Sequence, residues 1–156
     1  MMKSYWPFKM NLLSLLALTA GAAISIQATM NSQLGILLNS SLIGTFIAFS
    51  FSCIFTLLAV ILSTKVYPGL SEIQSVPVYL WFSGGALSAL GVSLFYYLIP
   101  RMGAGSMMSY ALTGQIIIAI TASHFGWFDL PVKQMDMFKT TGVMALIIGI
   151  VLINWT

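Results

Sequence analysis

The chain has 156 residues, of which 59% are hydrophobic and 6% charged, with six basic and three acidic side chains and a net charge of +3. Average globular domains carry roughly 25% charge, so this surface cannot be solvated by water, and a mean hydropathy of +0.99 makes lipid its solvent. The small positive charge is not a nucleic-acid signal, and the apolar stretches use up so much of the chain that no soluble enzyme domain fits beside them.

A hydrocarbon core about 30 Å thick takes roughly 20 apolar residues in helical form. The chain offers five such stretches, at about 11–35, 42–65, 78–99, 104–125 and 138–155. They predict an all-α integral membrane fold, a five-helix bundle forming one membrane domain over residues 1–156. Lys3 and Lys9 before the apolar run from Leu12 resemble a secretory signal. The run is too long for one, however, and four more follow, so it reads as a retained first helix.

Segment one has two faces. Ala17, Gly21, Ser25 and Thr29 are spaced by four, a ridge of small side chains that lets another helix backbone come close. Ala23, Gln27 and Asn31 repeat the spacing two residues out of phase and fall nearly opposite, at about 100° per residue. An amide in hydrocarbon without a partner costs several kcal/mol. Gln27 and Asn31 therefore face other helices as hydrogen-bonding glue, line a polar path, or sit at a frayed end. Asn31 lies nearer the end, which makes Gln27 the sharper candidate.

The next segments are plainer. Asn39-Ser40-Ser41 fits a glycosylation sequon, a common three-residue match. Cys53, the only cysteine, reads as a small packing residue and can form no internal disulfide. Val66-Tyr67-Pro68-Gly69 ends segment two, and Pro77 opens segment three at a helix first turn. Segment three carries Gly84, Gly85 and Ser88, which with Ala89 form small-xxx-small pairs that either pack helices or serve as a hinge. Pro100-Arg101-Met102-Gly103 is expected to be a tight turn between segments three and four.

Segment four holds Ser106, Ser109, Tyr110 and Thr113 on one side, with Gln115 roughly opposite Ser106. Hydroxyls can return to their own helix carbonyls; the Gln115 amide cannot hide that way, so it is either structurally bonded or on a path. Tyr110 is either an aromatic filler with a bonded hydroxyl or a path residue. His124 closes the segment as an interfacial or capping residue, or as a titratable group. In segment five, Gly142, Ala145 and Gly149 repeat the packing pattern. The ten methionines are dispersed apolar filler. Trp6, Tyr67, Trp81, Trp127 and Trp155 stand near predicted ends, as an aromatic belt would.

Charge placement orients the chain. Lys3, Lys9, Lys65, Lys133 and Lys139 share one side if all five segments cross, and Arg101 alone takes the other. The positive-inside rule then predicts a cytoplasmic N-terminus and an outer C-terminus. Glu72, Asp129 and Asp136, the only acids, lie outside the predicted spans. No intramembrane carboxylate serves proton exchange or holds a cation, so neutral or weakly polar substrates fit better, unless His124 or a partner subunit supplies the titrating group. There is no phosphate-binding glycine loop, no His/Cys cluster at metal spacing and no nucleophile–base pair. Hence neither a cofactor nor a metal nor catalysis is expected.

Several stretches together resemble one family. Gly21-Ala-Ala-Ile-Ser-Ile-Gln27-Ala-Thr-Met-Asn31, Trp81-Phe-Ser-Gly84-Gly85-Ala, Pro100-Arg-Met-Gly103, Gly114-Gln115 and His124-Phe-Gly126, with the later Gly142 and Gly149, are similar to the YdcZ-like family over about residues 15–153. These are bacterial inner-membrane exporters of the drug/metabolite transporter superfamily. The resemblance implies a five-helix unit, half of an inverted-repeat transporter, moving a small metabolite or drug-like molecule by alternating access as an oligomer. Gln27, Asn31 and Gln115 match its recurring positions. Ser123 departs from it, since many members carry an acid before His-Phe-Gly. The resemblance implies assembly as an antiparallel pair, and with an odd span count a paired copy would begin on the opposite side. The five-to-one charge bias argues against one chain inserting both ways, and so favours parallel self-association or an oppositely oriented five-helix partner. The alternative is a small accessory subunit of a larger membrane complex.

Overall fold

The computed structural model describes residues 12–129 and 131–155, so Lys3, Trp6, Lys9 and Thr156 lie outside the described residues. Among the described residues every regular element is helical: α1 Leu12–Leu37, α2 Ser41–Ser63, α3 Leu70–Ser75, α4 Ser83–Met102, α5 Ala104–Phe125 and α6 Met137–Ile153. Single 3₁₀ turns at Val78–Trp81 and Trp127–Asp129 precede α4 and follow α5. Among the described residues, four stretches are long and apolar enough to cross a bilayer: Leu12–Leu37, Ser41–Ser63, Val78–Met102 and Ala104–Phe125. The fifth apolar helix, α6, has 17 residues; at roughly 1.5 Å per residue it lies at the short end of the spanning range.

By its contacts the chain divides into two compact units, Met1–Tyr97 and Leu98–Thr156. Buried apolar side chains among the described residues are few: Ala28, Tyr96, Ile99, Met107, Ala122 and Ile150. Long apolar side chains such as Leu62 (84% exposed) and Phe138 (90%) stand clear of the protein. Helices apolar all round belong in lipid.

In the first unit, α1 and α2 form a hairpin. Asn39, whose side chain tolerates left-handed backbone, sits at φ 52 just past α1. Ser40 caps α2, its hydroxyl accepting from the Ile43 N–H at 3.3 Å. The sequon motif is thus the chemistry of a turn. The two helices meet backbone to backbone. A Cβ on Gly44 would lie 3.1 Å from both Cα and N of Gly35, and one on Gly35 would lie 3.2 Å from Ser41 Cα.

The buried face of α1 is Ala28, Ser32 and Gly35, whereas the expected ridge stepped from Ser25 to Thr29. Steps of four gain about 40° each, because a turn is roughly 3.6 residues. Alternating steps of four and three hold one face, through Gly21, Ser25, Ala28, Ser32 and Gly35. Gly21 itself has nothing within 4 Å of an added Cβ, nor do Gly84, Gly85, Gly142 or Gly149. Ser25 is half-buried and Ser88 exposed. Among the described residues, the close backbone approach is made at Gly35 and Gly44.

Two breaks differ from expectation. Pro77 precedes the 3₁₀ turn at Val78–Trp81, and α4 begins only at Ser83. The helix then runs through Pro100 to Met102, so the break before α5 is Gly103 alone, at φ 84. Glycine is the residue that takes such a φ without steric cost. The six-residue α3 was not expected; the Glu72 carboxylate accepts the Gly69 N–H at its start, at 2.7 Å.

In the second unit α5 packs against α6. The Asn154 amide, at the end of α6, donates to Ser109 Oγ at 3.0 Å and to the Ile150 carbonyl at 2.8 Å. Asp136 caps the start of α6, accepting from the Lys139 N–H at 2.8 Å.

Candidate functional site

Several hydroxyls in α2 and α5 return to their own helices. Thr45, Ser50 and Thr56 donate to the carbonyls of Ser41, Phe46 and Ser52. Ser109, Thr113 and Thr121 donate to those of Ser106, Ser109 and Ile117. This satisfies each hydroxyl inside an apolar span without a second helix.

The amides of α1 behave differently. Asn31 Nδ2 donates to Gln27 Oε1 at 2.7 Å and to the Tyr96 hydroxyl at 2.9 Å. The Tyr96 hydroxyl in turn donates to Gln27 Oε1 at 3.2 Å, closing a triangle between α1 and α4. Tyr96 is 2% exposed. Gln27 is exposed and Asn31 half-buried. The triangle occupies Gln27 Oε1 and Asn31 Nδ2. Gln27 Nε2 and Asn31 Oδ1 have no hydrogen bond among the described residues, one a donor and the other an acceptor.

Pro100 shapes this place. Lacking an N–H, it leaves the Tyr96 carbonyl four residues earlier without its helical donor. The Ser32 hydroxyl, 1% exposed, supplies one at 3.3 Å. Tyr96 is therefore held at both ends by α1, through its hydroxyl and through its carbonyl.

The model of the family described as "Putative inner membrane exporter, YdcZ" matches residues 12–152. The chain belongs to that family. It is accordingly a multi-pass membrane protein of a transporter family rather than an enzyme. No curated protein and no solved structure matches it.

Within this YdcZ-family chain, the expected polar residues belong to both units. Gln27 and Asn31 come together with Tyr96, which the sequence reading passed over. The signal was present, since a tyrosine hydroxyl deep in an apolar run needs a partner as an amide does. Tyr110 and Gln115 lie on α5, in the second unit, both exposed and without a hydrogen bond among the described residues. His124, at the end of α5, accepts the Met135 N–H on Nδ1 at 3.2 Å and meets the Phe125 ring edge to face at 4.9 Å. That bond places the proton of the neutral ring on Nε2.

An apolar cleft of about 660 Å³ lies between α2 and α4, lined by Phe46, Phe49, Ser50, Cys53, Leu90 and Ser93 among others. Ser50 and Ser93 spend their protons on the Phe46 and Ala89 carbonyls. The walls thus offer contact area and few donors. Among the described residues no group of three or more His, Cys, Asp or Glu is placed to hold a metal.

Proposed function

We propose that this YdcZ-family chain exports a small neutral or weakly polar metabolite or drug-like molecule across the bacterial inner membrane by alternating access. The Gln27–Asn31–Tyr96 triangle is the polar contact that the molecule meets. One observation carries the reading: the triangle is internally satisfied, yet its exposed edge keeps a Gln27 donor and an Asn31 acceptor for something else. Such an edge suits an uncharged molecule bearing both kinds of group. The four long spans contain no acid and a single charge, Arg101 near the end of its helix. A cation would therefore find no counter-charge there.

In this reading α6 crosses as the fifth span, the N-terminus is cytoplasmic, and the chain acts as an oligomer or with an oppositely oriented five-helix partner, as in superfamily inverted repeats. Two features support assembly. Gln115 and Tyr110 carry polar atoms in a span without a bonding partner among the described residues, which hydrocarbon penalises. The small-residue face of α1 also continues past its buried part to Gly21.

Flux of candidate molecules from vesicles reconstituted with the purified chain tests the proposal. Replacing both Gln27 and Gln115 by Leu is expected to abolish flux while the helix content and melting of the protein persist. Undiminished flux from a well-folded double variant refutes the assignment.

A further inference from the structure

A second cavity, of about 390 Å³, lies where α5 ends, beneath the connection to α6. Its lining is divided. Ile116, Ala119 and Ile120 supply an apolar wall from the later turns of α5, and Ser123, Lys133 and Lys139 supply the other end. The apolar part belongs to a membrane span, and the two lysines belong to the stretch just outside it and the first turn of α6.

The connection is pinned rather than loose. Ser123 accepts the Lys133 N–H on its carbonyl at 2.9 Å, and His124 accepts the Met135 N–H at 3.2 Å. These two bonds hold residues 133–135 against the end of α5. Nearby acids offset the lysines only in part. Asp136 stands 3.8 Å from Lys139 Nζ, which also donates to the Gln134 carbonyl. Among the described residues, no carboxylate lies within ion-pair distance of Lys133, Asp129 included.

We infer that this cavity is a binding site for an anionic phospholipid of the surrounding bilayer, its phosphate at Lys133 and Lys139 and the start of an acyl chain along Ile116, Ala119 and Ile120. The order of the lining matches the order of such a molecule across the interface, charge outside and hydrocarbon inside. Basic pockets at helix ends on one side of a membrane recognise acidic headgroups in this way. A free inorganic anion would use the lysines and gain nothing from the apolar wall. The site shares no residue with the Gln27–Asn31–Tyr96 triangle and does not depend on the substrate assigned there.

Native mass spectrometry of the full-length protein in detergent, titrated with phosphatidylglycerol or phosphatidylcholine, tests the inference. The unmodified protein is expected to retain phosphatidylglycerol preferentially. Lys133→Gln is expected to weaken that retention about five-fold, the effect of one interfacial cation, and Lys133→Arg to restore it. Ala119→Phe keeps both lysines but fills the cavity, and should lose the lipid as well. Equal retention of the two lipids, or a preference that survives Ala119→Phe, overturns the site. So does displacement of phosphatidylglycerol by millimolar inorganic phosphate, which would mark a simple anion site. Lys65→Gln, a basic residue elsewhere in the chain, is the control and should leave the preference intact.

Discussion

The Ser32 hydroxyl bonds the Tyr96 carbonyl at 3.3 Å, and Pro100 explains why that carbonyl is there to be bonded. A proline inside a helix breaks one hydrogen bond and forces a neighbour to supply another. Both residues are almost fully enclosed, so the replacement bond cannot come from water.

Removing the hydroxyl should therefore cost about 1–3 kcal/mol, the penalty for a buried acceptor left empty. Ser32→Ala is expected to lower stability by that amount in denaturant unfolding from mixed micelles. In a Pro100→Ala background, where the helix regains its own donor, the same change should cost clearly less. Additive effects in this double-mutant cycle would show that the two residues do not share one carbonyl.

Gly44 and Gly35 meet through backbone atoms, which cannot swing aside as the tip of a long side chain can. Gly44→Ala is expected to destabilise the α1–α2 hairpin by about 1–3 kcal/mol, in the range of overpacking, and Gly44→Leu by more. Gly21→Ala, where an added Cβ meets nothing within 4 Å, should leave the unfolding of the isolated chain unchanged. A difference between Gly21 and Gly44 that vanished would remove the helix crossing from this place.

Tyr96→Phe deletes one donor to Gln27 and one acceptor for Asn31. Loss of a hydrogen bond near 1 kcal/mol should reduce flux about five-fold in vesicles. Asn31→Leu should do at least as much, because it removes the donor that orients both partners. Flux equal to that of the unmodified chain would detach Tyr96 from transport and leave it a packing residue.

His124 ties residue 135 to the end of α5. Replacing it with Ala should expose the 131–136 connection to protease without unfolding α5 or α6, since a single bond near 1 kcal/mol governs local opening. Cleavage no faster than in the unmodified protein would mean that the Ser123–Lys133 bond alone holds the connection.

The orientation can be read from reporters at the two termini. A cytoplasmic reporter is expected to be active at the N-terminus and an external one beyond Trp155. Two active cytoplasmic reporters would show that α6, with its 17 residues, does not cross.

The chain order of apolar residues was enough to determine that lipid is the solvent, that the elements are helices, and where four spans run to within a few residues. Those properties are sums over adjacent side chains, and a bilayer responds to the sum. It also pointed to Gln27 and Asn31, since any amide in such a helix must find a partner. What it could not decide was which partner. Tyr96 lies 65 residues from Asn31 along the chain, and it becomes that partner through packing that no local window contains. Gly35 and Gly44 let two backbones touch, and Pro100 frees the carbonyl that Ser32 takes. Helix position fixes the face a side chain occupies, while contact across helices depends on how closely their backbones approach, and only the tertiary structure decides that.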